Sequence, residues 1–104
     1  MKTAVAMVRN LSTPENREQF RNEFQKLVET EAQRLCRNRM RAQQLAEYVF
    51  LKVEKDYAVR ILPDYCEPFL AGQTCLAYAA TGGNPARMQE KIDELRTGSG
   101  NSDV

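Results

Sequence analysis

The stretch "RLCRNRMRAQQ", residues 34–44, decides how the first half of this chain folds. Neither Gly nor Pro occurs between Glu15 and Leu62, and apolar residues recur at three- and four-residue steps on both sides of the stretch. Such steps return to one face of an α-helix at about 100° per residue. The apolar residues before the stretch are Phe20, Phe24, Leu27, Val28, Ala32 and Leu35, and those after it are Ala42, Leu45, Ala46, Val49, Phe50 and Val53.

Taken alone, this spacing would allow one helix from about residue 14 to residue 57. Asn38 and Arg39 would then fall inside the apolar stripe, where a charge needs a partner. Helices longer than about 25 residues are also rare outside coiled coils and repeats. We therefore predict a tight turn near residues 38–41 and a long N-terminal helical hairpin.

Capping signals define the other helix ends. Ser12 or Thr13 can cap the first helix ahead of Pro14, and Ser12 with Glu15 fits the S-x-x-E capping box. A third helix is predicted from Pro68 to a stop at Gly82. A fourth follows, with Asn84 as cap, Pro85 in its first turn, and Gly98 past its end.

The predicted fold class is mainly α, a compact bundle of about four helices. Residues 3–8 and 57–62 are predicted as one or two short strands, with helix ends as the alternative for the second segment. We expect an N-terminal arm at 1–12, a single helical domain at 13–97 and a disordered tail at 98–104.

Composition excludes several function classes. The 104 residues are 42% hydrophobic and 28% charged, as in an ordinary globular domain, and no apolar run approaches the roughly 20 residues of a membrane span. Three cysteines without a CxxC pair predict reduced, buried thiols and a cytoplasmic location. The chain contains no histidine, which removes the usual proton shuttle and the commonest zinc ligand. We expect no enzymatic activity, cofactor, metal site, small-molecule substrate or membrane association.

The candidate site is a cluster of arginines within eight positions that hold no acidic residue: Arg34, Arg37, Arg39 and Arg41. Residues 1–55 contain eleven Lys or Arg and seven acids, whereas residues 56–104 contain four and seven. In a helix, Arg34, Arg37 and Arg41 would form a row about 10 Å long, comparable to the distance between neighbouring phosphates. The alternative is a solvated face whose arginines pair with nearby glutamates.

The stretch "AQQLAEYVFLKV", residues 42–53, resembles the core-binding helix in the second region of bacterial sigma factors. The positions that match are Ala42, Leu45, Phe50, Leu51, Lys52 and Val53. Gln43 and Gln44 stand where that family has two acids, and the chain has no Trp for the promoter-opening segment. The resemblance covers about a dozen positions and implies contact with the transcription machinery.

The expected function is therefore that of an interaction module. We expect it to bind a macromolecule, nucleic acid or the transcription machinery, through the arginine face of the helical hairpin. The alternative is a protein–protein adaptor or a homodimer whose exposed apolar residues pack against another chain.

Overall fold

Four helices make up most of the described chain. The computed structural model describes residues 10–97, in which α1 spans Pro14–Cys36, α2 Arg39–Asp56, α3 Cys66–Thr81 and α4 Pro85–Arg96. These residues form a compact, all-helical bundle in which no β-strand occurs.

The strand predicted at residues 57–62 is not formed. Within residues 10–97, the one backbone hydrogen bond that joins this segment to a distant part of the chain runs from the Leu11 N–H to the Tyr57 carbonyl, at 2.8 Å. A β-ladder needs a series of such bonds, so the segment forms a turn and bends instead. The predicted strand at residues 3–8 and the predicted tail at 98–104 lie outside the described residues.

Two residues, Arg37 and Asn38, separate α1 from α2. Arg37 has a left-handed backbone, with φ of 58°, and its N–H donates to the Gln33 carbonyl at 2.8 Å. The Asn38 side-chain oxygen accepts a hydrogen bond from the Arg41 N–H at 2.9 Å. The first contact closes α1 and the second begins α2, so the break lies one residue ahead of the predicted range.

The start of α1 follows the capping signals, and Thr13 is the cap among the two candidates. The Thr13 hydroxyl accepts a hydrogen bond from the Asn16 N–H at 3.1 Å, with Pro14 in the first turn. Ser12 is not the cap, and its hydroxyl donates to the Asn10 side chain at 2.9 Å. The capping box predicted for Ser12 is therefore not formed.

At the second half of the chain, α3 begins at Cys66, two residues before the predicted start. Gly82 ends it in the left-handed conformation, with φ of 64°. The Asn84 side-chain oxygen then accepts from the Ala86 N–H at 2.8 Å and begins α4, as predicted. Gly83 also has a positive φ, of 70°, and a Cβ there would lie 2.7 Å from the Tyr78 ring.

Helix α2 lies at the centre of the packing and contacts the other three helices. All six apolar residues predicted for its stripe are buried, and Tyr48 joins them. Four of the six predicted for α1 are buried, while Leu27 and Leu35 are half-buried against the core. The Phe20 and Phe50 rings meet edge to face at 6.0 Å between centroids, which links α1 to α2.

The prediction of three buried thiols is correct for one. Cys66 is buried, Cys36 is half-buried and Cys75 is exposed, and none of the three forms a disulfide bond. None of the helices within residues 10–97 combines the length and the hydropathy of a membrane span.

Candidate nucleic-acid interface at the turn between α1 and α2

All four candidate arginines are exposed and surround the turn between α1 and α2. Arg34 lies in the last turn of α1, Arg37 is the left-handed residue that ends it, and Arg39 and Arg41 lie in the first turn of α2. The helix stops at Cys36, so the continuous row predicted for Arg34, Arg37 and Arg41 is not formed. The arginines instead make a cluster at one end of the bundle.

The arginines differ in their partners. Arg34 donates to Glu31 at 2.6 Å, and this bond and charge raise the pKa of the Arg34 guanidinium above its usual range. Within residues 10–97, no carboxylate pairs with Arg37, Arg39 or Arg41. The alternative of a solvated face with paired arginines therefore applies to Arg34, whereas the other three arginines are exposed and have no carboxylate partner among residues 10–97.

Two of these arginines lie where they weaken the helix that carries them. The first turn of α2 contains Arg39 and Arg41 and no acidic residue. A helix N-terminus carries about half a positive charge, so each cation there costs roughly 0.3–1 kcal/mol. Arg34, at the negative end of α1, has the favourable placement. Helix stability accordingly does not explain the positions of Arg39 and Arg41.

Arg39 and Arg41 line different grooves, because a two-residue step turns about 200° around a helix. Arg39 lines a groove of about 320 Å³ between α1 and α2, which we call the α1–α2 groove. Arg41 lines a groove of about 600 Å³ between α2 and α4, the α2–α4 groove, together with Met40 and Ile92. The cations of the turn thus face both sides of α2.

The α1–α2 groove is also lined by Lys26, a cation that the predicted site did not include. Lys26 lines this groove with Thr30 and Gln33 on the α1 side, opposite Arg39 and Gln43 on the α2 side. The sequence did indicate that these three α1 residues lie together, since positions 26, 30 and 33 are four and three residues apart and share one helix face. What the sequence alone did not show is that this face meets Arg39.

Four charged side chains, which we call the ionic brace, hold α2 against its neighbours: Arg21, Glu47, Glu54 and Arg96. Arg21 contacts Glu47 at 2.9 Å and Glu54 at 2.5 Å, and Arg96 contacts Glu47 at 3.1 Å. Burial tends to raise the pKa of Glu47, but the bonds and charges of Arg21 and Arg96 outweigh it and hold the pKa below its usual range. Arg21 and Arg96 therefore form salt bridges between helices within the bundle.

The residues that carry the sigma-factor resemblance serve mainly as core in this chain. Ala42, Leu45, Phe50 and Val53 are all buried inside the bundle, while Leu51 and Lys52 are half-buried. The face of α2 that would bind another protein through these apolar residues is therefore covered by the protein's own helices.

The side chains at the turn and in the α1–α2 groove include guanidinium and ammonium groups, amides and a hydroxyl, all of which can donate hydrogen bonds to an anion. No cluster of three or more Cys, Asp and Glu side chains suited to holding a metal ion occurs among residues 10–97. The chain matches no protein-family model, no curated protein and no solved structure.

Proposed function

We propose that this protein is a non-enzymatic interaction module of the cytoplasm that binds nucleic acid through the arginines around the turn of its N-terminal helical hairpin. One observation carries the proposal: Arg37, Arg39 and Arg41 are exposed without carboxylate partners in the described chain, and two of them lie at the positive end of α2. A phosphate backbone would supply the negative charge that this helix end lacks.

The test replaces Arg37, Arg39 and Arg41 together by Gln, which keeps polarity and removes charge. Fluorescence anisotropy would measure binding to mixed-sequence single-stranded RNA and duplex DNA across a range of KCl concentrations. Each phosphate contact contributes about 0.7–0.9 to the slope of log affinity against log salt, so the triple variant should lose roughly two units of slope.

Arg60→Gln, compared with each of the three single arginine variants as well as with the triple variant, controls for the loss of a positive charge away from the turn. Arg60 is exposed, lies in the segment after α2 at the far end of that helix, and contributes the same charge to the whole protein. We expect its affinity and slope to equal those of the wild type. The proposal fails if the wild-type protein shows no salt-sensitive binding at low ionic strength, or if Arg60→Gln weakens binding as much as the triple variant does.

A second candidate function is binding of a protein partner, including the transcription machinery or a second copy of this chain. The α2–α4 groove favours it, because Met40 is 79% exposed there beside the buried Ile92. A flexible, exposed methionine is typical of adaptable protein-binding surfaces. Light scattering after size exclusion, with and without mixed RNA, separates the two candidates. A dimer that Met40→Ser dissociates, with no change of mass on adding RNA, would favour this second function.

A further inference from the structure

The α1–α2 groove has a set of side chains suited to one kind of ligand. Lys26 and Arg39 reach it from opposite walls, and both are exposed. No carboxylate pairs with either of them within residues 10–97. Thr30, Gln33 and Gln43 add a hydroxyl and two amides, each able to donate a hydrogen bond to an oxygen anion. Its volume of about 320 Å³ is at the small end of the range for ligand sites.

Glu29 limits the charge that this groove can accept. It is the acidic residue of the lining, and its carboxylate accepts a hydrogen bond from Gln25 at 2.6 Å. With Lys26 and Arg39 counted against Glu29, the lining has a net charge of +1. A phosphodiester carries one negative charge, which balances the net charge of the lining.

The groove continues the basic surface of the turn. Lys26 and Gln33 are seven residues apart on α1, or about 10 Å along the helix, and Arg39 lies across the groove within the first turn of α2. A strand that contacts Arg37 at the turn would meet Lys26 farther along α1. The groove lining includes no aromatic side chain on which a base could stack, so the contact it offers is to the backbone.

We infer that the α1–α2 groove is a phosphodiester-binding subsite, in which Lys26 and Arg39 contact one backbone phosphate of a bound nucleic-acid strand and Glu29 weakens that contact. The inference rests on the proposed function and adds to it a cation outside the arginine cluster and an acidic residue with an opposing effect.

The experiment compares two substitutions on the same helix, Lys26→Gln and Glu29→Gln, with anisotropy of labelled mixed-sequence single-stranded RNA as the readout. Lys26→Gln should weaken binding about 5- to 10-fold at 0.1 M KCl and lower the salt slope by about one unit. Glu29→Gln should strengthen binding by about 3- to 10-fold, because it removes a like charge from the subsite. A role of these residues in folding alone would not produce opposite signs.

Matched controls are Lys55→Gln and Glu90→Gln, exposed residues that do not line the groove. Both should bind RNA within about twofold of the wild type, since screening weakens distant exposed charges. Equal melting temperatures for all four variants would show that the fold is unchanged.

The outcomes separate the inference from the proposed function. If the triple arginine variant loses binding while Lys26→Gln and Glu29→Gln behave like their controls, the subsite is wrong and the proposed function stands. If the wild type does not bind RNA or DNA at low salt, both are wrong. If poly-glutamate binds and Lys26→Gln weakens it as much as RNA, the groove takes carboxylates and the phosphodiester assignment is overturned.

Discussion

Replacing Arg21 by Met tests whether the ionic brace holds α1 against α2. Arg21 donates to Glu47 at 2.9 Å and to Glu54 at 2.5 Å, and its guanidinium lies 5.2 Å from the centre of the Phe50 ring. The Arg21 side chain is 28% exposed and that of Glu54 only 11%. Methionine keeps an apolar stem over Phe50 but removes the charge and every donor.

The magnitude follows from the partners that Arg21 leaves behind. Partly exposed ion pairs contribute about 0.2–1 kcal/mol each after screening by solvent, and the contact with the Phe50 ring adds about 0.5–1 kcal/mol. The Glu54 carboxylate, nearly buried, would lose its partner at a cost of about 1–3 kcal/mol. We expect a loss of about 2–6 kcal/mol from the ~5–15 kcal/mol of a typical domain.

The assay is urea and thermal unfolding, both followed by far-ultraviolet circular dichroism at pH 7. Arg21→Met should lower the melting temperature by roughly 4–8 °C per kcal/mol lost. Adding Glu54→Gln to Arg21→Met should recover about 1–2 kcal/mol, because the unpaired charge is gone. Lys26→Gln, an exposed cation on the same helix, should change stability by less than about 0.5 kcal/mol. An Arg21→Met variant as stable as Lys26→Gln, or a double variant no better than the single one, would refute this account.

Three further predictions concern stability. The pKa of Glu47 is lowered in the folded protein, so its stabilising contribution is complete above the unfolded pKa near 4.5 and is lost as pH falls through the lower folded value. Urea titrations at pH 7 and pH 3 should therefore show that acid destabilises Glu47→Gln less than the wild type. Val49 is 1% exposed and Leu35 is half-buried, so Val49→Asp should unfold the domain, whereas Leu35→Asp should leave a folded protein with a lower melting temperature. Equal losses of stability in the two variants would contradict the observed difference in burial. Gly83→Ala should lower the free energy of unfolding by about 1–3 kcal/mol, and by more than Gly82→Ala does, because both glycines have a positive φ but only a Cβ at position 83 would contact a tyrosine ring. Calorimetry that shows the reverse order would be inconsistent with this geometry.

Local signals determined the helices. Asn84, Pro14 and Gly82 each act on backbone groups within about four residues, and the structure uses them where the sequence predicted them. The α2 stripe from Ala42 to Val53 was likewise readable, because apolar residues at helical spacing have to be buried together. The sequence allowed either Ser12 or Thr13 as the cap of α1, and only the structure shows that it is Thr13.

The arrangement of charge around the turn was decided by tertiary structure. A helical projection put Arg34, Arg37 and Arg41 in one row, but Arg37 takes a left-handed conformation and the chain changes direction there. Only the packing of α1 on α2 brings Lys26 and Arg39 to one groove. The ionic brace likewise joins residues 26 to 49 positions apart. Capping and periodicity act over one or two helical turns, whereas the contact between two helix faces depends on the packing of the whole core. For that reason the sequence identified the arginines but not the surface that they form.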